Sequence, residues 1–177
     1  APTTANVEIT EKCNARCLHC YNPWREETMG VNSHTFETIK KTIDELKKAG
    51  VFHLIFTGGE PMLQLDEPLI KVCQANGFET AIETNGTIVV PEGIDWVCVS
   101  PKFGADLVVE SGNEIKLVYP QNGHQPSDFA NLQFDYFFLQ PMFEHQENNN
   151  VQLTVDYCLK HPRWSLSLQT HKLLGLQ

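Results

Sequence analysis

The 177 residues carry 22 Asp and Glu against 13 Lys and Arg, a formal net charge of −9, which argues against the basic stripe that a nucleic-acid groove requires. With 41% hydrophobic residues the chain can bury one core, and its length fits a single domain spanning residues 1–177. No apolar run reaches the ~18 residues of a membrane span, and the start lacks a basic-then-apolar signal, so a cytoplasmic protein acting on a small molecule is the expectation.

Strand and helix signals then alternate. Asn6 to Thr10 reads as a first strand and leads into a cysteine-bearing loop. After a connection from Tyr21 to Val31, Ser33 is placed to cap a helix on which Phe36, Ile39, Ile43 and Leu46 recur at helical spacing, with Gly50 as its stop. The run from Phe52 to Thr57 is short and almost wholly apolar, as in a strand buried within a parallel sheet. A helix over Glu67 to Asn76, ended by Gly77, and a strand over Phe78 to Thr84 follow. The link to the next strand (Asp95 to Val99) holds Gly86, Pro91 and Gly93, which disfavour a helix there. Further strands are predicted at Glu114 to Tyr119, Tyr136 to Leu139 and Trp164 to Leu168, the last two separated by a helix over Asn150 to Leu159. Gln121 to Ser127 and Glu144 to Asn150 read as solvated loops. The fold class this implies is α/β, an incomplete (β/α) barrel of about six parallel strands.

The chemistry concentrates in Cys13, Cys17 and Cys20, spaced C-x3-C-x2-C. Three thiolates leave a four-iron cluster one protein ligand short, and the open iron is then free to bind a reacting molecule. A tetrahedral zinc site would need a fourth ligand that His19 could supply only awkwardly. Cys73, Cys98 and Cys158 lie in apolar contexts and read as small buried hydrophobes. The other polar motifs each follow a predicted strand: Thr57-Gly58-Gly59-Glu60-Pro61, Glu83-Thr84-Asn85-Gly86-Thr87, Ser100-Pro101-Lys102, Gln140-Pro141-Met142 and Gln169-Thr170-His171-Lys172. Any one could be an ordinary turn. Together they point to one ligand-binding edge at the carboxyl ends of the strands.

The cysteine loop followed by Gly-Gly-Glu-Pro resembles the radical S-adenosylmethionine (SAM) superfamily. From about Gly77 onward the resemblance narrows to the 7-carboxy-7-deazaguanine synthase family, carried by Glu83 to Thr87, Trp96 to Lys102, Glu114 to Tyr119, Leu139 to Pro141 and the ending Arg163 to Gly175. The resemblance implies a [4Fe-4S] cluster on Cys13, Cys17 and Cys20. It implies SAM held by His19, Gly58, Gly59, Glu60, Ser100, Lys102 and Gln140. A 6-carboxy-5,6,7,8-tetrahydropterin substrate would lie near Thr57, Glu83, Asn85 and the terminal Gln177, and a 5′-deoxyadenosyl radical would start its ring contraction to a 7-deazaguanine. A flavodoxin-like reductant, a homodimer and a Mg2+ ion are implied as well. Two departures stand out. The family begins with a Gln-Gly-Glu-Gly segment and a further strand, whereas here only a dozen residues precede Cys13. Its Asp-Thr after the last cysteine, whose threonine helps hold Mg2+, is replaced here by Tyr21-Asn22. The Cys20-Tyr21 pair and the helix at residues 32–50 look more like radical SAM enzymes that modify peptides or proteins, so the first ~60 residues resemble a different branch. A small activase that installs a glycyl radical in a partner protein, a peptide-modifying enzyme and a non-catalytic iron-sulfur domain are the other readings open at this point.

Overall fold

A computed structural model describes residues 3–15, 34–143 and 149–170. Its centre is a single sheet of seven parallel strands in sequence order: β1 (Thr4–Thr10), β2 (His53–Gly58), β3 (Glu79–Thr84), β4 (Trp96–Val99), β5 (Ser111–Tyr119), β6 (Gln133–Pro141) and β7 (Trp164–Leu166). About six were expected, and the three-residue β7, paired with β6 through Phe137↔Trp164 and Leu139↔Leu166, forms the far edge. Because every pairing is parallel, all the carboxyl ends lie along one edge.

Helix α1 (Phe36–Lys48) joins β1 to β2, α2 (Glu67–Ala75) joins β2 to β3, and α3 (Asn150–Lys160) joins β6 to β7. The cap of α1 is Thr35, whose hydroxyl accepts from the Thr38 amide at 3.2 Å, and not the predicted Ser33, which lies outside the described residues. Side-chain capping by Thr satisfies an amide that the first helical turn leaves unpaired. Asp66 does the same for α2 by accepting from the Leu69 amide. Between β3 and β4 the chain makes no helix, as the Gly and Pro residues there predict.

The period-two pattern of each strand decides which face meets the helices. Leu54, Phe56, Ile82, Val99, Ile115, Leu117, Phe137 and Leu139 point to one face, where Ile39 and Ile43 of α1, Leu69, Ile70 and Cys73 of α2, and Tyr157 and Cys158 of α3 cover them. The opposite face carries Thr57, Glu83, Cys98, Glu114, Lys116 and Gln140, and no described helix covers it. The 121–127 stretch departs from a simple solvated loop. It runs into a 3-10 turn, Pro126–Phe129, and His124 sits edge-on between the rings of Phe103 and Phe129.

Ile43 is fully buried and Leu159 is 77% exposed. Ile43→Ala is expected to lower unfolding stability by about 2–5 kcal/mol, the cost of lost burial plus a cavity. Leu159→Ser should change it by less than about 0.5 kcal/mol, both read from urea titrations of the reconstituted protein.

Candidate active site

Four loops converge at the carboxyl edge, and backbone contacts set their spacing. The Gly59 amide donates to the Thr10 carbonyl at 2.8 Å and the Glu60 amide to the Lys12 carbonyl at 2.7 Å. These bonds draw the loop after β2 flat against the start of the cysteine loop. A Cβ on Gly59 would sit 2.2 Å from the Lys12 carbonyl oxygen, and one on Gly58, at φ +116°, would sit 2.6 Å from that of Thr10. The sequence suggests glycines that admit a ligand. The approach they allow is to the backbone of the cysteine loop itself, which brings the two motifs into direct contact.

Glu60 locks the third loop. Its side chain has no solvent exposure. Oε1 accepts from the Thr84 hydroxyl at 2.6 Å and the Met62 amide at 3.0 Å, and Oε2 accepts from the Asn85 amide at 2.7 Å. Among the described residues three donors face these oxygens, matching the acceptor capacity of a carboxylate. The Glu60 side chain is thus spent inside the protein, so any contact it makes with a ligand comes from its backbone. The Thr84 carbonyl in turn accepts the Ser100 amide at 2.8 Å, which brings in the loop after β4.

A second bridge closes the circuit. The Asn85 amide nitrogen donates to Asn14 Oδ1 at 2.7 Å, Asn14 Nδ2 donates to Thr87 Oγ1 at 2.7 Å, and the Thr87 backbone amide and hydroxyl both donate to Asn85 Oδ1. Asn14 follows Cys13 directly, so the Asn-Gly-Thr turn after β3 braces the cysteine loop. One hydrogen of the Asn85 amide has no partner among the described residues. No signal in the sequence singles out Asn14 or Thr84, because each acts through a partner more than 20 residues away.

Cys13 is partly exposed, and its sulfur accepts the Ala15 amide at 3.4 Å. An N–H aimed at sulfur stabilises a thiolate. That geometry fits the first ligand of an iron-sulfur cluster. Cys17, His19, Cys20 and Gln177 lie outside the described residues. Among the described residues no group of three His, Cys, Asp or Glu side chains could hold a metal ion. Burial pushes the Cys73 thiol up to about 12 and also raises Cys98 and Cys158, which keeps them protonated. The reading as buried apolar thiols holds for Cys73; Cys98 is buried but lies between Glu83 and Glu114 on the polar face, and Cys158 is only half-buried.

Ser100 and Lys102 stand together beyond β4, with Lys102 Nζ donating to Ser100 Oγ at 2.8 Å. Thr57, Glu83 and Gln140 share the helix-free face near the same edge. The predicted residues that are described therefore lie along the same edge of the sheet.

A one-sheet α/β fold with a C-x3-C-x2-C loop braced by Gly-Gly-Glu-Pro defines a class, and residues 7–118 match the Radical SAM superfamily. The chain belongs to that superfamily. It is 46% identical to the 7-carboxy-7-deazaguanine synthase of Burkholderia multivorans over 171 residues, covering 94% of this chain and 81% of the relative. It is 56% identical to that of Bordetella pertussis over 124 residues, or 70% of this chain, and there it spans 59% of the relative's length. Within the superfamily the chain belongs to the 7-carboxy-7-deazaguanine synthase family. Among solved structures, QueE from Escherichia coli superposes with a TM-score of 0.70 at 23% identity, covering 94% of this chain and 85% of that one. Streptococcus suis SuiB bound to the precursor peptide SuiA superposes at 0.64 and 14% identity, covering 94% of this chain and 49% of that one. Both likenesses are of fold.

Glu60→Gln keeps the shape of the side chain but turns an NH2 toward groups that themselves donate. Unfolding in urea is expected to show a loss of about 1–3 kcal/mol. A change within about 0.5 kcal/mol would contradict the donor assignment.

Proposed function

We propose that this chain converts 6-carboxy-5,6,7,8-tetrahydropterin to 7-carboxy-7-deazaguanine, with ring contraction and loss of ammonia. The observation that carries the reading is the 46% identity to a 7-carboxy-7-deazaguanine synthase across 94% of the chain. A [4Fe-4S] cluster with SAM, when bound, supplies the radical chemistry of the superfamily.

The chain's own residues bind and orient. Cys13, Cys17 and Cys20 hold the cluster, and the Asn14–Asn85 bridge fixes the direction in which Cys13 leaves β1. His19 lies within the same loop and lines the SAM site. Backbone groups of Gly58, Gly59 and Glu60 lie against the cysteine loop and are suited to hold the amino group of SAM. Lys102, presented by Ser100, offers a cation to the SAM carboxylate, and Gln140 adds a polar contact from β6. Glu83 and Thr57 face the pterin from the helix-free face, the spare side-chain amide hydrogen of Asn85 points to the same role, and Gln177 is assigned to the same substrate.

With Tyr21-Asn22 after Cys20, Mg2+ loses the threonine that the family supplies, so the dependence of turnover on added Mg2+ is expected to be weak. A flavodoxin-like reductant, a homodimer and a cytoplasmic location complete the reading. No described helix is long and apolar enough to cross a membrane.

The test is anaerobic reconstitution with iron and sulfide, then incubation with SAM, reductant and the carboxytetrahydropterin, with and without Mg2+, followed by mass spectrometry. The deazaguanine carboxylate is the expected product, and Cys13→Ala should abolish both the cluster absorbance and the product. Formation of 5′-deoxyadenosine without the deazaguanine would move the substrate to a peptide or a partner protein. A cluster that forms without any SAM cleavage would leave a non-catalytic iron-sulfur domain.

A further inference from the structure

One ion pair crosses the helix-free face. Lys116 on β5 places Nζ 3.0 Å from Glu83 Oε1 on β3. Neighbouring strands lie about 4.8 Å apart, so β3 and β5 are separated by about 10 Å, and the lysine must reach over the whole width of β4. What it crosses is Cys98, which pairs in register with Glu83 on one side and Glu114 on the other and is only 3% exposed. The stem of Lys116 lies across this thiol while its ammonium serves the carboxylate beyond, a division of labour that suits a long amphipathic side chain.

The pair is asymmetric. The Lys116 side chain is 20% exposed and that of Glu83 is 47% exposed. Burial works against the charge of Lys116, but the Glu83 and Glu114 carboxylates beside it outweigh that effect and raise its pKa, so the ammonium stays charged near neutral pH. Glu83 Oε1 is held by this ammonium, whereas Oε2 has no hydrogen-bond partner among the described residues. One lysine facing two glutamates leaves this patch of the face with net negative charge. A carboxylate with one oxygen fixed and the other open is built to accept from a ligand N–H, and its setting selects a ligand edge that carries donors.

We propose that Lys116 is a positioning residue for substrate recognition: by holding Oε1 of Glu83 it turns Oε2 toward the guanidine-like N–H edge of a fused heterocyclic substrate. The inference rests on the pterin reading above and adds to it the residue that orients the specificity carboxylate. Neither Ser100 nor Lys102 takes part, since they pair with each other beyond β4.

The experiment measures binding of 6-carboxypterin, followed by its own fluorescence, to the reconstituted, SAM-loaded protein. Lys116→Met is expected to weaken binding by at least about tenfold, as loss of a charge-assisted hydrogen bond predicts, and to raise KM for the tetrahydropterin more than it lowers kcat. Lys116→Arg, which keeps the cation, should stay within about threefold of the parent. Glu83→Gln should weaken binding similarly, and the double variant Glu83→Gln/Lys116→Met should bind no worse than Glu83→Gln alone, because Lys116 acts through Glu83. SAM affinity, measured in parallel, should be the same in all four variants.

Unchanged pterin affinity in Lys116→Met, or additive losses in the double variant, would overturn the inference while leaving the pterin reading intact. Loss of SAM affinity together with pterin affinity would reduce Lys116 to a structural role and overturn it too. If Lys116→Met does not fold, Lys116→Gln carries the same comparison. A parent protein that neither binds 6-carboxypterin nor turns over the tetrahydropterin overturns the functional reading, and the inference falls with it.

Discussion

The buried carboxylate of Glu60 is the constraint on which the site depends. A carboxyl group without solvent contact is costly unless it is hydrogen-bonded, and here the Thr84 hydroxyl and the backbone amides of Met62 and Asn85 supply three hydrogen bonds. The cost is offset only when β3 ends in the correct place relative to the loop after β2. The carboxylate therefore selects one arrangement of strand ends. Its own amide, bonded to the Lys12 carbonyl, passes that arrangement on to the residue preceding Cys13. Position of the first cysteine, closeness of the Gly-Gly-Glu-Pro backbone and exit of the Asn-Gly-Thr turn are thus consequences of one side chain and its partners.

The division of the sheet into two faces explains why binding and stability do not compete. Helices α1, α2 and α3 cover one face and bury the aliphatic residues there. The other face is left with Thr57, Glu83, Lys116 and Gln140, which would be destabilising in a dry core but can serve a ligand at an open one. Parallel pairing puts the carboxyl ends of all seven described strands on one edge, so residues at the strand ends and in the loops beyond them line that edge without any long excursion of the chain.

Much of this was legible in the sequence. The short, almost wholly apolar run from Phe52 to Thr57 and the helical spacing of Ile39, Ile43 and Leu46 located β2 and α1 to within a residue or two, because such patterns report how an element meets the core. The cluster motif and the strand-end placement of Ser100, Lys102 and Gln140 were readable for a similar reason: loop chemistry follows the element before it. What could not be read depends on contacts between distant segments. Thr35 displaced Ser33 as the cap of α1. Gly58 and Gly59 also admit the backbone of the cysteine loop, and the side chain of Glu60 faces Thr84 and Asn85. Lys116 looked like one polar residue in an alternating strand, and nothing local foretold that its ammonium would cross β4 to Glu83. In the 121–127 loop, exposed at Asn122, Gly123, Gln125 and Ser127, the polar composition hides the packing of His124 against Phe103 and Phe129.

The claim that the strand-end loops form one coupled unit is tested most directly by native-state hydrogen exchange, comparing the parent with Glu60→Gln. The account predicts that protection of the Gly59, Glu60, Asn85 and Ser100 amides falls together and by similar factors, since all four bonds lie on the circuit that Glu60 closes. Loss of protection at Met62 and Asn85 alone, with Gly59, Glu60 and Ser100 unchanged, would show that Glu60 makes only local bonds and would contradict the account.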